Sequence, residues 1–109
     1  MAREQLKTLT EQMYYILLVL IKPQHGYGIM QDIERMTEGR VKVGAGTLYS
    51  LLSRFEEEKI IRQVCEENRK KIYLISEKGL EILELEHQRL KKLVFDGEAL
   101  LNEERYTDD

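Results

Sequence analysis

The chain is poor in the residues that carry covalent or metal chemistry. Its single cysteine, Cys65, excludes an intrachain disulfide, and no second cysteine or histidine stands at metal-ligand spacing from it. A reducing setting, the cytoplasm, is expected. The longest apolar run, Met13 to Ile21, is too short to cross a bilayer and follows charged residues, so neither a membrane span nor a secretory signal is expected. Gly44-x-Gly46 lacks the third glycine, the strong preceding strand and the Lys-Ser or Lys-Thr of a nucleotide-binding loop. No serine, cysteine or paired-carboxylate constellation suggests an enzyme. No cofactor or metal is therefore expected, and linkers, repeats and low-complexity tracts are missing as well.

An overall excess of positive charge is also missing. With 17 Lys and Arg against 20 Asp and Glu, the formal charge of −3 argues on its face against a nucleic-acid binder. The distribution argues otherwise: residues 40–73 carry eight cations and five carboxylates, whereas residues 74–109 carry five and ten. Phosphate contacts would then be local and salt-sensitive, with the acidic remainder restraining indiscriminate binding to polyanions.

What is present is a series of helical stripes followed by a hairpin. Thr8 and Glu11 have capping-box spacing, Thr10 is a second N-cap candidate, and the helix they open carries Met13, Ile16, Leu17 and Leu20 on one face. Pro23 closes it. His25-Gly26-Tyr27-Gly28 reads as a turn, with His25 a capping or packing residue. The second helix that follows buries Ile29, Ile33 and Met36 and ends at Gly39. After the extended link Arg40 to Val43, Gly44-Ala45-Gly46 permits a sharp approach to a third helix. Leu48, Leu51, Leu52 and Phe55 form its buried stripe, leaving Gly46, Ser50, Ser53 and Glu57 outward, with Tyr49 and Arg54 on the flanks. Two β-rich runs, Ile60 to Val64 and Lys71 to Ile75, flank the polar tip Glu66-Glu67-Asn68-Arg69. Ser76 caps a long terminal helix, and a frayed acidic tail is expected over residues 103–109.

The fold class is thus mainly α with a small β-hairpin. Residues 1–75 would form a winged helix-turn-helix domain and residues 76–109 a dimerisation helix with its tail. A helix with small outward residues beside a basic hairpin points to double-stranded DNA. Thr47 and Tyr49, near the helix N-terminus, suit phosphate contacts, and Ser50, Ser53 and Arg54 suit base edges. Lys42, Lys70 and Lys71, with Arg69 beside them, are further phosphate candidates. Tyr27 is either a core residue or a phosphate contact. Leu83, Leu90, Leu93, Val94, Leu100 and Leu101 approximate a heptad seam for a homodimer, interrupted by Glu86, His87 and Gly97. The alternative is a winged-helix protein-interaction module that does not bind DNA, suggested by the net acidity and by Glu66 and Glu67.

With these residues the chain resembles the PadR family of transcriptional regulators in its short form. The likeness runs from Leu9-Thr10-Glu11 through Tyr14-Tyr15-Ile16-Leu17, His25-Gly26-Tyr27-Gly28 and Gly44-Ala45-Gly46-Thr47-Leu48-Tyr49. It continues through Leu52-Ser53-Arg54-Phe55-Glu56 and Lys71-Ile72-Tyr73 to Ser76-Glu77-Lys78-Gly79. The resemblance implies a homodimeric repressor on a palindromic operator. It further implies a small aromatic or amphipathic effector at or near the dimer interface, expected among Met13, Leu17, Leu90, Leu93 and Val94. Lys59 stands where the family pattern has Gly, and a left-handed conformation there costs about 1 kcal/mol relative to glycine.

Overall fold

The computed structural model describes residues 8–107. Among them four helices and a three-stranded antiparallel sheet follow in the order α1 (Glu11–Val19), β1 (Gln24–His25), α2 (Gly26–Met36), α3 (Ala45–Glu57), β2 (Ile61–Glu67), β3 (Lys70–Ile75) and α4 (Glu77–Thr107). This is a winged helix-turn-helix with a long terminal helix. No helix of the described residues is long and apolar enough to cross a membrane.

Local chemistry sets most of the boundaries. Thr10, not Thr8, caps α1, its hydroxyl accepting the Met13 N–H at 3.2 Å. His25 caps α2 through its Nδ1, which accepts the Gly28 N–H at 3.1 Å, so Gly26 to Gly28 form the first helical turn and not a free turn. The α2 stripe runs Ile29, Ile33, Thr37, leaving Met36 exposed at 51%. Thr37 tolerates burial because its hydroxyl donates to the Ile33 carbonyl at 2.8 Å and accepts the Val41 N–H at 3.1 Å.

Strand β3 lies between β1 and β2. Gln24 and His25 pair with Tyr73 and Ile72, so a two-residue strand joins the chain between α1 and α2 to the hairpin. The hairpin turn is Asn68-Arg69, both with positive φ (50° and 66°), the geometry of a tight two-residue connection. Glu66 and Glu67 are accordingly not at the tip. They belong to β2, directly opposite Lys71 and Lys70.

All three short helices meet in one core that includes Ile16, Leu17 and Leu20 of α1, Ile29 and Ile33 of α2, and Leu48, Leu52 and Phe55 of α3. The start of α4 completes it with Ile82 and Leu83. Ser76 caps α4 as the sequence predicts, accepting the Gly79 N–H at 3.0 Å. Farther along, the helix carries Leu93, Val94, Phe95, Leu100 and Leu101 in the open. The helix continues through Thr107, past the point where fraying is expected, and Asp108 and Asp109 lie outside the described residues.

Candidate nucleic-acid interface

The outward face of α3 arises from helical spacing around its buried stripe. With Leu48, Leu52 and Phe55 in the core, Gly46, Thr47, Ser50, Ser53 and Glu57 are all exposed. Beside this face lies a groove of about 400 Å³ between α2, α3 and the hairpin. It gathers Tyr27, Tyr49 and Ser53 with Arg69, Lys70 and Lys71. Tyr27, half exposed at 56%, belongs to this groove and not to the core. Tyr73 forms part of its floor, and burial, reinforced by nearby Glu56 and Tyr49, pushes its phenol up from the ordinary tyrosine value. Tyr73 was missed as a site residue because its strand pattern reads simply as a buried aromatic.

The cations of residues 40–73 divide by partner. Arg69, Lys70 and Lys71 line the groove. Arg40 turns instead to α1, donating to the Tyr15 hydroxyl at 2.9 Å and lying 5.9 Å from its ring centre. Lys42 sits outside the groove, 4.0 Å from a Glu34 oxygen. Arg54 is held by Glu58 at 2.9 Å, one helical turn on, so its guanidinium is not a free probe for base edges. Thr47 and Ser50 share the exposed α3 face without lining the groove.

The end of α3 is seated on the start of α4 by hydrogen bonds to its last main-chain carbonyls. Lys59 adopts the left-handed conformation, φ 63°, that its replacement of glycine implies. The Ser76 hydroxyl donates within 2.7 Å of the Lys59 carbonyl, the Ser76 N–H donates to the Ile60 carbonyl at 2.9 Å, and Lys78 Nζ donates to the Glu58 carbonyl at 2.9 Å. Gly79 makes this approach possible, because a Cβ there would stand 2.1 Å from the Ile60 carbonyl oxygen.

The expected effector set is not brought together. Met13 and Leu17 are closed inside the core, whereas Leu93 and Val94 lie on the bare stretch of α4 and Leu90 is half buried. Leu83, expected in the dimer seam, is 3% exposed and packs within the protomer. The physical reason is that α4 starts close against α1, so its first inward positions complete the local core before the helix departs. A separate groove of about 590 Å³ opens between α1 and α4, lined by residues including Tyr14, Leu18, Ile21, Leu80, Glu84 and His87. The Tyr14 hydroxyl shares a 2.8 Å hydrogen bond with His87 Nδ1 across it. Glu86 interrupts the expected seam because it points inward. Only 2% exposed, it accepts from Arg89 at 2.7 Å and from the Leu9 N–H at 3.2 Å. The Arg89 hydrogen bonds hold its carboxyl below the ordinary glutamate range, with burial opposing and the Leu9 N–H assisting.

Residues 16–85 match the family model described as the transcriptional regulator PadR-like family. A relative described as an uncharacterized 37.1 kDa protein in transposon TN4556 of Streptomyces fradiae is 31% identical over 106 residues. That alignment covers 94% of this chain and 30% of the relative, so the chain spans under a third of that protein's length. A PadR-like transcriptional regulator from Bacillus cereus superimposes with a TM-score of 0.68 at 27% identity, covering 81% of this chain and 88% of that one. F93 from STIV, a winged-helix DNA-binding protein, shares the fold with a TM-score of 0.66 at 24% identity, covering 79% and 95% of the two chains.

Proposed function

Because the chain belongs to the PadR-like family of transcriptional regulators, we propose that it acts in the cytoplasm as a homodimeric transcriptional repressor that binds double-stranded DNA. Residues 1–75 are the DNA-binding unit and residues 76–109 the pairing unit, with the first turns of α4 serving both. The outward face of α3 enters the major groove, Ser50 and Ser53 meet base edges, and Thr47 sits beside the backbone. Tyr27, Tyr49, Lys70, Lys71 and Arg69 hold phosphates, while Lys42 and Arg54 contribute only by leaving their present carboxylate partners. The single observation that carries this reading is the convergence of two exposed tyrosines, Ser53 and three consecutive cations in one groove next to the bare α3 face.

Pairing follows from the apolar stripe that α4 carries beyond the core. A second copy would cover Leu93, Val94, Leu100 and Leu101, which a monomer leaves in water. Two-fold symmetry then presents paired α3 helices to a palindromic operator, with half-sites about one helical turn apart. A small aromatic or amphipathic effector fits the groove between α1 and α4, where apolar side chains surround the Tyr14–His87 pair. Binding there would release DNA by shifting α1 against α4.

Selection of bound fragments from the source genome, followed by mobility shifts across a salt series, tests the proposal. A palindromic motif bound with steep salt dependence is expected. Failure to retain any duplex at low salt would favour the protein-interaction alternative.

A further inference from the structure

Two glycines occupy the first turn of α2, and neither has a left-handed φ. Glycine in a helix is disfavoured relative to alanine by up to about 1 kcal/mol, so conformation does not explain them; space does. At Gly28 the space is filled locally, since a Cβ would lie 2.3 Å from the side chain of Gln24, whose amide bonds Asp32 at 2.9 Å. At Gly26 it is filled from another helix. A Cβ there would lie 2.5 Å from the Tyr49 hydroxyl oxygen and 2.7 Å from two carbons of its ring.

We infer that Gly26 is a positioning residue for DNA binding: its bare backbone is the seat on which the Tyr49 ring rests, and the seat sets where the Tyr49 hydroxyl stands in the groove. This rests on the DNA-binding reading above. Tyr49 is 48% exposed, and no hydrogen bond among the described residues holds its hydroxyl, so packing against Gly26 constrains it while the hydroxyl stays free to donate. The three atoms nearest such a Cβ all belong to the outer end of one half-exposed ring. Alanine at position 26 therefore turns the ring away without disturbing the core. Fold and binding respond differently.

The test is a double-mutant cycle on the full chain, using fluorescence anisotropy with a mixed-sequence DNA duplex and a thermal melt of each variant. Gly26→Ala should weaken binding about tenfold, the loss of one hydrogen bond to a charged group, with its melting temperature near that of the wild type. In a Tyr49→Ala background the same change should cost nothing further. Tyr49→Phe keeps the ring but removes the donor, and should abolish the Gly26→Ala effect on binding equally. Ring resonances of Tyr49 should move in Gly26→Ala already in the free protein, without DNA. Additive losses, or unmoved ring resonances, overturn the inference. If duplex binding is absent, or indifferent to Lys71→Ala, the DNA-binding reading falls, and the positioning role with it, even where the ring resonances show the seat to be real.

Discussion

Helix α3 is held at its two ends by different physics. Near its start Tyr49 lies over Gly26, one movable ring on one bare residue, beside the groove that Arg69, Lys70 and Lys71 line. At its far end the carbonyls of Glu58, Lys59 and Ile60 all accept from the first turn of α4. A Cβ at Gly26 meets a side chain that can swing aside, whereas a Cβ at Gly79 meets the Ile60 carbonyl oxygen at 2.1 Å, which cannot. The far end of α3 is thus fixed against backbone, whereas its groove end rests on a side chain that can move.

Gly79→Ala should break the junction most severely, costing about 3 kcal/mol because the overlap is with backbone. A thermal melt reads it, and a melting temperature equal to that of the wild type would contradict the contrast. Next, Leu93→Asp should leave the protomer's core intact while weakening self-association by about 2 kcal/mol, the burial of one leucine. Sedimentation at graded concentrations measures it. Glu86 extends the comparison to pH. Its native carboxyl ionises below the ordinary glutamate range, so its contribution is complete above that range and is lost as pH falls from there through the lower native value. Glu86→Gln should cost about 1.5 kcal/mol at neutral pH and flatten that acid loss in melts taken across the window.

The groove responds in binding alone. Lys71→Ala should weaken association with every duplex by about 1 kcal/mol and reduce the slope of log affinity against log salt by about 1, with the melt unmoved. Lys59→Gly is the smallest effect: relief of the left-handed strain, partly offset by greater freedom of the unfolded chain, should stabilise by about 0.5 kcal/mol in denaturant titration.

Much of this was legible because it is local. His25 and Ser76 act as caps where their positions predict, the third helix shows its small residues to solvent, and Lys59 takes the conformation that its place in the motif demands. The misses share one cause. Met36 and Thr37 are adjacent, and spacing alone did not reveal that Thr37 turns inward once its hydroxyl finds the Ile33 and Val41 backbone. Glu86 interrupts a heptad on paper, yet Arg89 and the Leu9 N–H make its burial tolerable. The strand Gln24–His25 is too short to leave a pattern and exists only because β3 runs beside it.

Periodicity, caps and turn residues, which act over a few neighbours, determined from the sequence alone that this chain makes helices, a hairpin and a long terminal helix in this order. Which cations gather in the groove, and which leucines of α4 remain bare once Met13, Leu17 and Leu83 close the core, was decided only by the tertiary path. Those outcomes depend on contacts between residues far apart in the chain, and side-chain spacing carries no record of them.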